Sequence, residues 1–302
     1  MTSDRTFERE QRLRAIARWA EVGVLEPRSL LPIEKAFLER VEANSDSFFK
    51  PVAVNNLEGV EFHRELSYLL DAFDSLPGRV DQAFDSTWKA LELETSQLHG
   101  GHVTGRLESA ALKVDPLIVA EICAGVPVQT CEYAYKRLIV EFLDGEAQFG
   151  LVNRVRERAT PAILELLDFM KITYGIDPPE ARRKGALLLR RALRGEVLKI
   201  GPNPTFQLDE TSRARFLVLL VLYTARNERF HGSSFSPFVS SDASLRTYTH
   251  PFFAFLASYY LLLALWFETR SDAVIASRDE VLESLRANLQ VARSVFGNHW
   301  EK

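Results

Sequence analysis

Leu219-Leu220-Val221-Leu222-Tyr223-Thr224-Ala225-Arg226-Asn227-Glu228-Arg229-Phe230-His231-Gly232 is an apolar run that ends in a burst of polar residues. Leu217, Leu220, Tyr223, Asn227, Phe230 and His231 recur at three- and four-residue steps, the period of one helix face. Thr211 and Ser212 are suitable N-caps and Gly232 is the expected stop, so Arg226 and His231 fall in or near the last turns. There a side chain can leave the core and meet solvent or a partner.

Beyond this helix, Pro251 to Phe267 runs seventeen residues without a charge. That length sits at the lower edge of a membrane span, but Ser258, Tyr259 and Tyr260 interrupt it and no second such segment exists, so a central core helix is expected. Helical spacing also covers residues 5–22, 32–44, 62–75, 80–98, 107–124, 130–144, 149–158, 161–174, 179–198 and 280–295, separated by Gly, Pro or Asp-rich breaks. The stretches His99–Gly105, Gly201–Thr205 and Gly232–His250 read as loops. No stretch keeps period-two alternation and no repeat or heptad array occurs, which gives an all-α, multi-helix fold.

The totals agree with a packed domain: 302 residues, 46% hydrophobic and 26% charged, carry enough apolar surface for a sizeable core. A net charge of -4 supplies no global attraction for nucleic acid, so any such contact needs a local basic surface. Cys123 and Cys131 lack metal-ligand partners nearby and read as small buried hydrophobes in a reducing compartment. The charged N-terminus has no apolar stretch of signal type, which makes the cytoplasm the default location and a membrane partner unexpected.

Several enzyme signatures are absent, which narrows the field. There is no His-Glu-x-x-His zinc helix and no Gly-x-Ser-x-Gly elbow, and no cofactor is implied. Gly100 and Gly105 have the spacing of a phosphate loop, but Arg106-Leu107 stands where Lys-Ser/Thr is needed. His99 and His102 lack a carboxylate or Cys cluster, so a plain loop is favoured over a metal site. Arg226, Asn227 and His231 remain as the candidate catalytic residues. Arginine supplies a planar, permanent cation for phosphate oxygens, and histidine exchanges a proton near neutral pH. RNA carries its own nucleophile in the 2′-hydroxyl, so a base, a cation and an acid suffice to cleave it without a metal.

Arg226-Asn227, three residues, then His231-Gly232 resembles the motif of HEPN-domain ribonucleases, an arginine and a histidine four to six residues apart with Asn often following the arginine. The setting is also similar, since the motif ends one apolar helix and another very apolar helix follows a loop. The helix with Phe84, Trp88, Leu91 and Glu92 is similar to the first long helix of such domains. The resemblance covers residues 61–302 at most, with 107–205 a possible helical insertion and 1–60 an N-terminal helical extension. Arg293 and His299 meet a looser spacing but lack the Asn and the Gly.

The resemblance implies a HEPN-like bundle acting as a metal-independent endoribonuclease of toxin or defence type. Arg226 would stabilise phosphate charge, His231 would transfer a proton or orient the phosphate, and Asn227 would orient His231 or the ribose. On an ideal helix residues five apart point about 140° from each other, so Arg226 must reach round or complete another copy's site. The resemblance likewise implies a homodimer with a composite active site, and an antitoxin or regulatory partner is a further expectation. Arg183, Arg190, Arg191 and Arg194 lie on or near one side of a helix and, with Arg229, form the candidate RNA-binding set. A solvated helix face is the plainer account of those charges. The alternative function is a non-catalytic helical protein that binds RNA, a nucleotide or a protein partner.

Overall fold

Periodic apolar residues form the helices here, and caps, glycines and prolines set where each one stops. The computed structural model describes residues 2–24, 28–44, 47–98, 100–147, 150–176, 179–232 and 244–301. The chain begins with α1 (Thr2–Val22), α2 (Pro32–Asn44), α3 (Val60–Asp74), α4 (Val80–Leu98), α5 (Val103–Lys113) and α6 (Pro116–Ala124). Next, α7 (Val128–Tyr135) runs through a π segment, Lys136–Val140, into α8 (Glu141–Leu143). After α9 (Leu151–Arg158), α10 (Pro161–Tyr174) and α11 (Pro179–Leu193) comes an antiparallel hairpin, β1 (Leu198–Ile200) and β2 (Asn203–Phe206). The chain then forms α12 (Glu210–Arg215), a second π segment, Phe216–Leu222, and α13 (Tyr223–Phe230). It closes with α14 (Leu245–Thr269), α15 (Arg278–Phe296) and α16 (Asn298–Glu301).

The axis of the molecule is α14. By length and composition it is the one helix among the described residues apolar enough to cross a membrane, yet 83% of its most apolar window is buried inside the protein. Buried Leu and Phe side chains contribute about 1.5–3 kcal/mol each, and α14 carries them on every side because α4, α5, α6, α7, α15 and α16 all pack on it. The most extensive of these contacts is with α4, which in turn holds α3.

Several boundaries differ from the sequence reading. Residues 107–124 split at Val114-Asp115, because Pro116 opens α6 and the Asp115 carboxylate caps it by accepting from the Leu117 amide. The loop expected at 99–105 is shorter, since α5 starts at Val103, while His99 lies outside the described residues. Residues 194–198 leave the helix, and Gly201-Pro202 forms the turn of the hairpin whose Leu198, Ile200 and Phe206 are buried. Finally, α14 begins at Leu245, capped reciprocally by Ser244 and Thr247, so Pro251 lies inside the helix rather than at its start.

Leu31, Phe37, Val41, Phe48 and Val54 of the expected 1–60 extension pack into the core. The Phe37 ring lies 4.4 Å from Tyr248, Phe48 lies 4.5 Å from Phe252, and Val54 bridges Val274. Helices α5, α6 and α7 of the possible insertion likewise contact α14 directly. Cys123 and Cys131 are buried free thiols, pushed up to about 12 by desolvation, which leaves them protonated and inert.

Candidate functional site

Asp209 starts the helix that carries the motif. Its carboxylate accepts from the Ser212 amide at 2.7 Å, so the cap lies two residues before the first expected one. The Phe216–Leu222 π segment that follows is buried at all seven positions, and the chain continues without a break into α13. Isolated π turns are rare and concentrate at functional sites. The helix ends with His231 leaving helical geometry and Gly232 at φ 70°, a left-handed conformation suited to glycine.

Arg226 is half-buried. Its Nη1 donates to the Asn227 side-chain oxygen at 3.1 Å and its Nη2 to Glu92 of α4 at 3.2 Å. The guanidinium also lies 4.4 Å from the centre of the Phe230 ring, itself 45% exposed. Glu92 is fixed in turn by the Trp88 indole N–H at 3.0 Å. Asn227 is buried, and its backbone carbonyl accepts from the exposed His231's amide at 2.9 Å. Arg226, Asn227 and His231 thus lie in the last turns of one helix, with His231 exposed at its end and Glu92 holding the Arg226 guanidinium.

Two of the residues between them, Glu228 and Arg229, turn inward. Glu228 is buried against Arg137, which donates through Nη2 at 2.7 Å and also pairs with Glu141. Burial raises the Glu228 carboxyl, and Arg137 opposes that shift. Arg229 makes a two-pronged bond to Asp85, both contacts at 2.6 Å, and reaches the buried Asp81 at 3.2 Å. Nearby, His250 stacks 4.3 Å from Tyr133 and shares a 3.1 Å contact with Thr130. Burial, with Arg229 and Arg137 adding repulsion, pushes its imidazole down to about 3, so it is neutral at physiological pH.

The candidate RNA-binding arginines do not meet on one open face. Arg190 is buried and donates to the Val126 carbonyl and to Glu301 at 3.0 and 2.5 Å. Arg194 shares Glu301 at 3.6 Å, Arg183 pairs with Glu132, and Arg229 is bound to Asp85. Arg191 is the most solvent-facing of them, although it pairs with Glu196 at 2.6 Å.

Glu92 escaped the sequence reading as a site residue. Glu92 lies 134 residues from Arg226 in the chain, and no local spacing signals such a pair. No family model matches this chain, and no curated protein or solved structure matches it.

Proposed function

We propose that the chain cleaves RNA without a metal ion, by attack of a ribose 2′-hydroxyl on the adjacent phosphodiester. The observation that carries this reading is the placement of Arg226 and His231 in the last turns of one helix, with the guanidinium held by Glu92 and Asn227. A held guanidinium contributes more to charge developing in a transition state than one that must first be ordered. The exposed Phe230 ring beside it offers a face on which a base can stack.

In the reaction the 2′-oxygen forms a bond to phosphorus and the bond from phosphorus to the 5′-oxygen breaks. The His231 imidazole takes the 2′ proton, Arg226 neutralises the crowded phosphorane, and the departing 5′-oxygen is protonated by the imidazole of a second copy. A homodimer is therefore part of the proposal, and it answers the angular separation of Arg226 and His231 on one helix.

The test is incubation of purified protein with total RNA and excess EDTA. Products with 2′,3′-cyclic phosphate and 5′-hydroxyl ends are expected. Arg226→Ala or His231→Ala should lower the rate by at least about 100-fold with the helical circular-dichroism spectrum unchanged. Full activity in both variants would sink the assignment. A second reading, a helical protein that binds a partner without cleaving RNA, draws on the ion pairing of Arg226 with Glu92 and of the α11 arginines with their own carboxylates. RNA left intact by the wild-type protein favours that reading.

A further inference from the structure

Four cations face a cavity of about 220 Å³ between α7 with its π segment and α11: Lys136, Arg182, Arg183 and Arg246. The carboxylate lining it is Glu132, which bridges two of them by accepting from Arg183 through one oxygen and from Arg246 through the other. A carboxylate between two guanidiniums shows that the site holds an oxyanion, and planar forks of this kind suit phosphate equally well. Lys136 is exposed and has no ion-pair partner among the described residues. Glu132 alone does not neutralise Lys136, Arg183 and Arg246 together, so this half of the cleft keeps a positive field.

This cavity adjoins a second of about 450 Å³, with which it shares Lys136, Val140 and Arg182. The second is acidic: Glu141, Asp144, Glu146 and Glu228 line it, and its one further cation, Arg137, is already paired with Glu228 and Glu141. A nucleic-acid strand carries a charge at every step and would be repelled in this half. A compact ester with phosphate at one end and hydroxyl or amino hydrogens at the other meets complementary groups in both. The volumes are those of small-molecule sites. Residues of the Lys136–Val140 π segment line the second cavity, as do Thr224 and Glu228, which follow the other π segment.

We propose that this cleft binds a small phosphorylated compound, its phosphate displacing Glu132 from between Arg183 and Arg246 and its body lying against Glu141, Asp144 and Glu228. The site is separate from Arg226 and His231 and does not depend on RNA cleavage.

Calorimetric titration of the full chain with pyrophosphate, glucose 6-phosphate and ADP tests it, with glucose and adenosine as uncharged counterparts. Binding of the phosphorylated probes and none of the uncharged ones is expected. Arg183→Ala should weaken binding about tenfold or more, and Glu132→Gln, which removes the resident anion but keeps its shape, should tighten it about threefold. The opposite signs separate loss of a ligand contact from loss of the fold. Arg226→Ala should leave the affinity unchanged, so this site can stand or fall apart from the ribonuclease reading. Absence of heat with every phosphorylated probe overturns the proposal, as does weaker binding in both cleft variants. A short single-stranded RNA that displaces ADP and is itself lost in Arg183→Ala overturns the assignment to a small ligand.

Discussion

At the junction of α3, α4 and α14 one guanidinium serves two buried carboxylates. Arg270 donates to Glu94 at 2.9 Å and to Glu65 at 3.3 Å, while the Trp266 indole donates to Glu65 at 2.9 Å. Burial, and next the Glu94 charge, push Glu65 up to about 8 from its ordinary 4.5, against the pull of Trp266 and Arg270. The folded protein therefore binds a proton here that the unfolded chain releases near pH 4.5. The stability tied to that proton is full below pH 4.5 and is lost as pH rises through about 8. Glu65→Gln keeps a neutral partner for Trp266 and removes the titration. Its stability relative to wild type should rise by up to about 4 kcal/mol between pH 5 and pH 8.5. Urea denaturation at the two pH values reads this directly, and parallel behaviour of the two proteins would refute it.

Among the helices, two glycines carry opposite expected responses, one at a close contact and one in open space. Gly185 is buried on α11, and a Cβ there would enter the Tyr135 ring of α7, whose hydroxyl donates to the Gly175 carbonyl at 2.7 Å. Gly185→Ala gains helix propensity of about 0.5–1 kcal/mol but forces the ring out of place, an overpacking cost of about 1–3 kcal/mol. A net loss of stability is expected. Gly105, in α5, has no atom within 4 Å of where a Cβ would sit, so Gly105→Ala should stabilise by about 0.5–1 kcal/mol. Chemical denaturation of both variants checks the pair, and equal signs would count against the packing argument. Such tertiary contacts also mark what local sequence could reveal. Leu219–Gly232 and Pro251–Phe267 were legible because period and polarity change within a few residues of each other. The hairpin was not, since its strands have three and four residues, too few to establish alternation. Arg226, Asn227 and His231 were legible as a spacing, whereas Glu92 and the cation cluster around Glu132 are assembled from α4, α7, α11 and α14 by the fold alone.

For the whole molecule, the N-terminal sixty residues divide into a loosely seated part and a core part. Phe7, Leu13, Ile16 and Val22 of α1 are exposed, and a cavity of about 370 Å³ lies between this helix and residues 28–35. From there inward the chain is anchored. Glu34 is buried, accepts from the Leu31 amide at 2.7 Å and pairs with Arg28. Phe37, Val41 and Phe48 are buried against α14 and α15, and the Val52 amide donates to the Tyr259 hydroxyl at 2.8 Å. Burial of three such side chains alone contributes about 5–9 kcal/mol, comparable with the 5–15 kcal/mol net stability of a typical domain. Deleting residues 2–24 should therefore lower the melting temperature by only a few degrees, about 2–4 °C per kcal/mol for a chain of this size. Deletion through residue 57 exposes Tyr248, Phe252, Tyr259 and Phe296 together and should abolish the cooperative transition. Calorimetric melts of the two truncated chains distinguish these outcomes: a lost transition in the shorter deletion, or a retained one in the longer, would place the edge of the folded unit elsewhere.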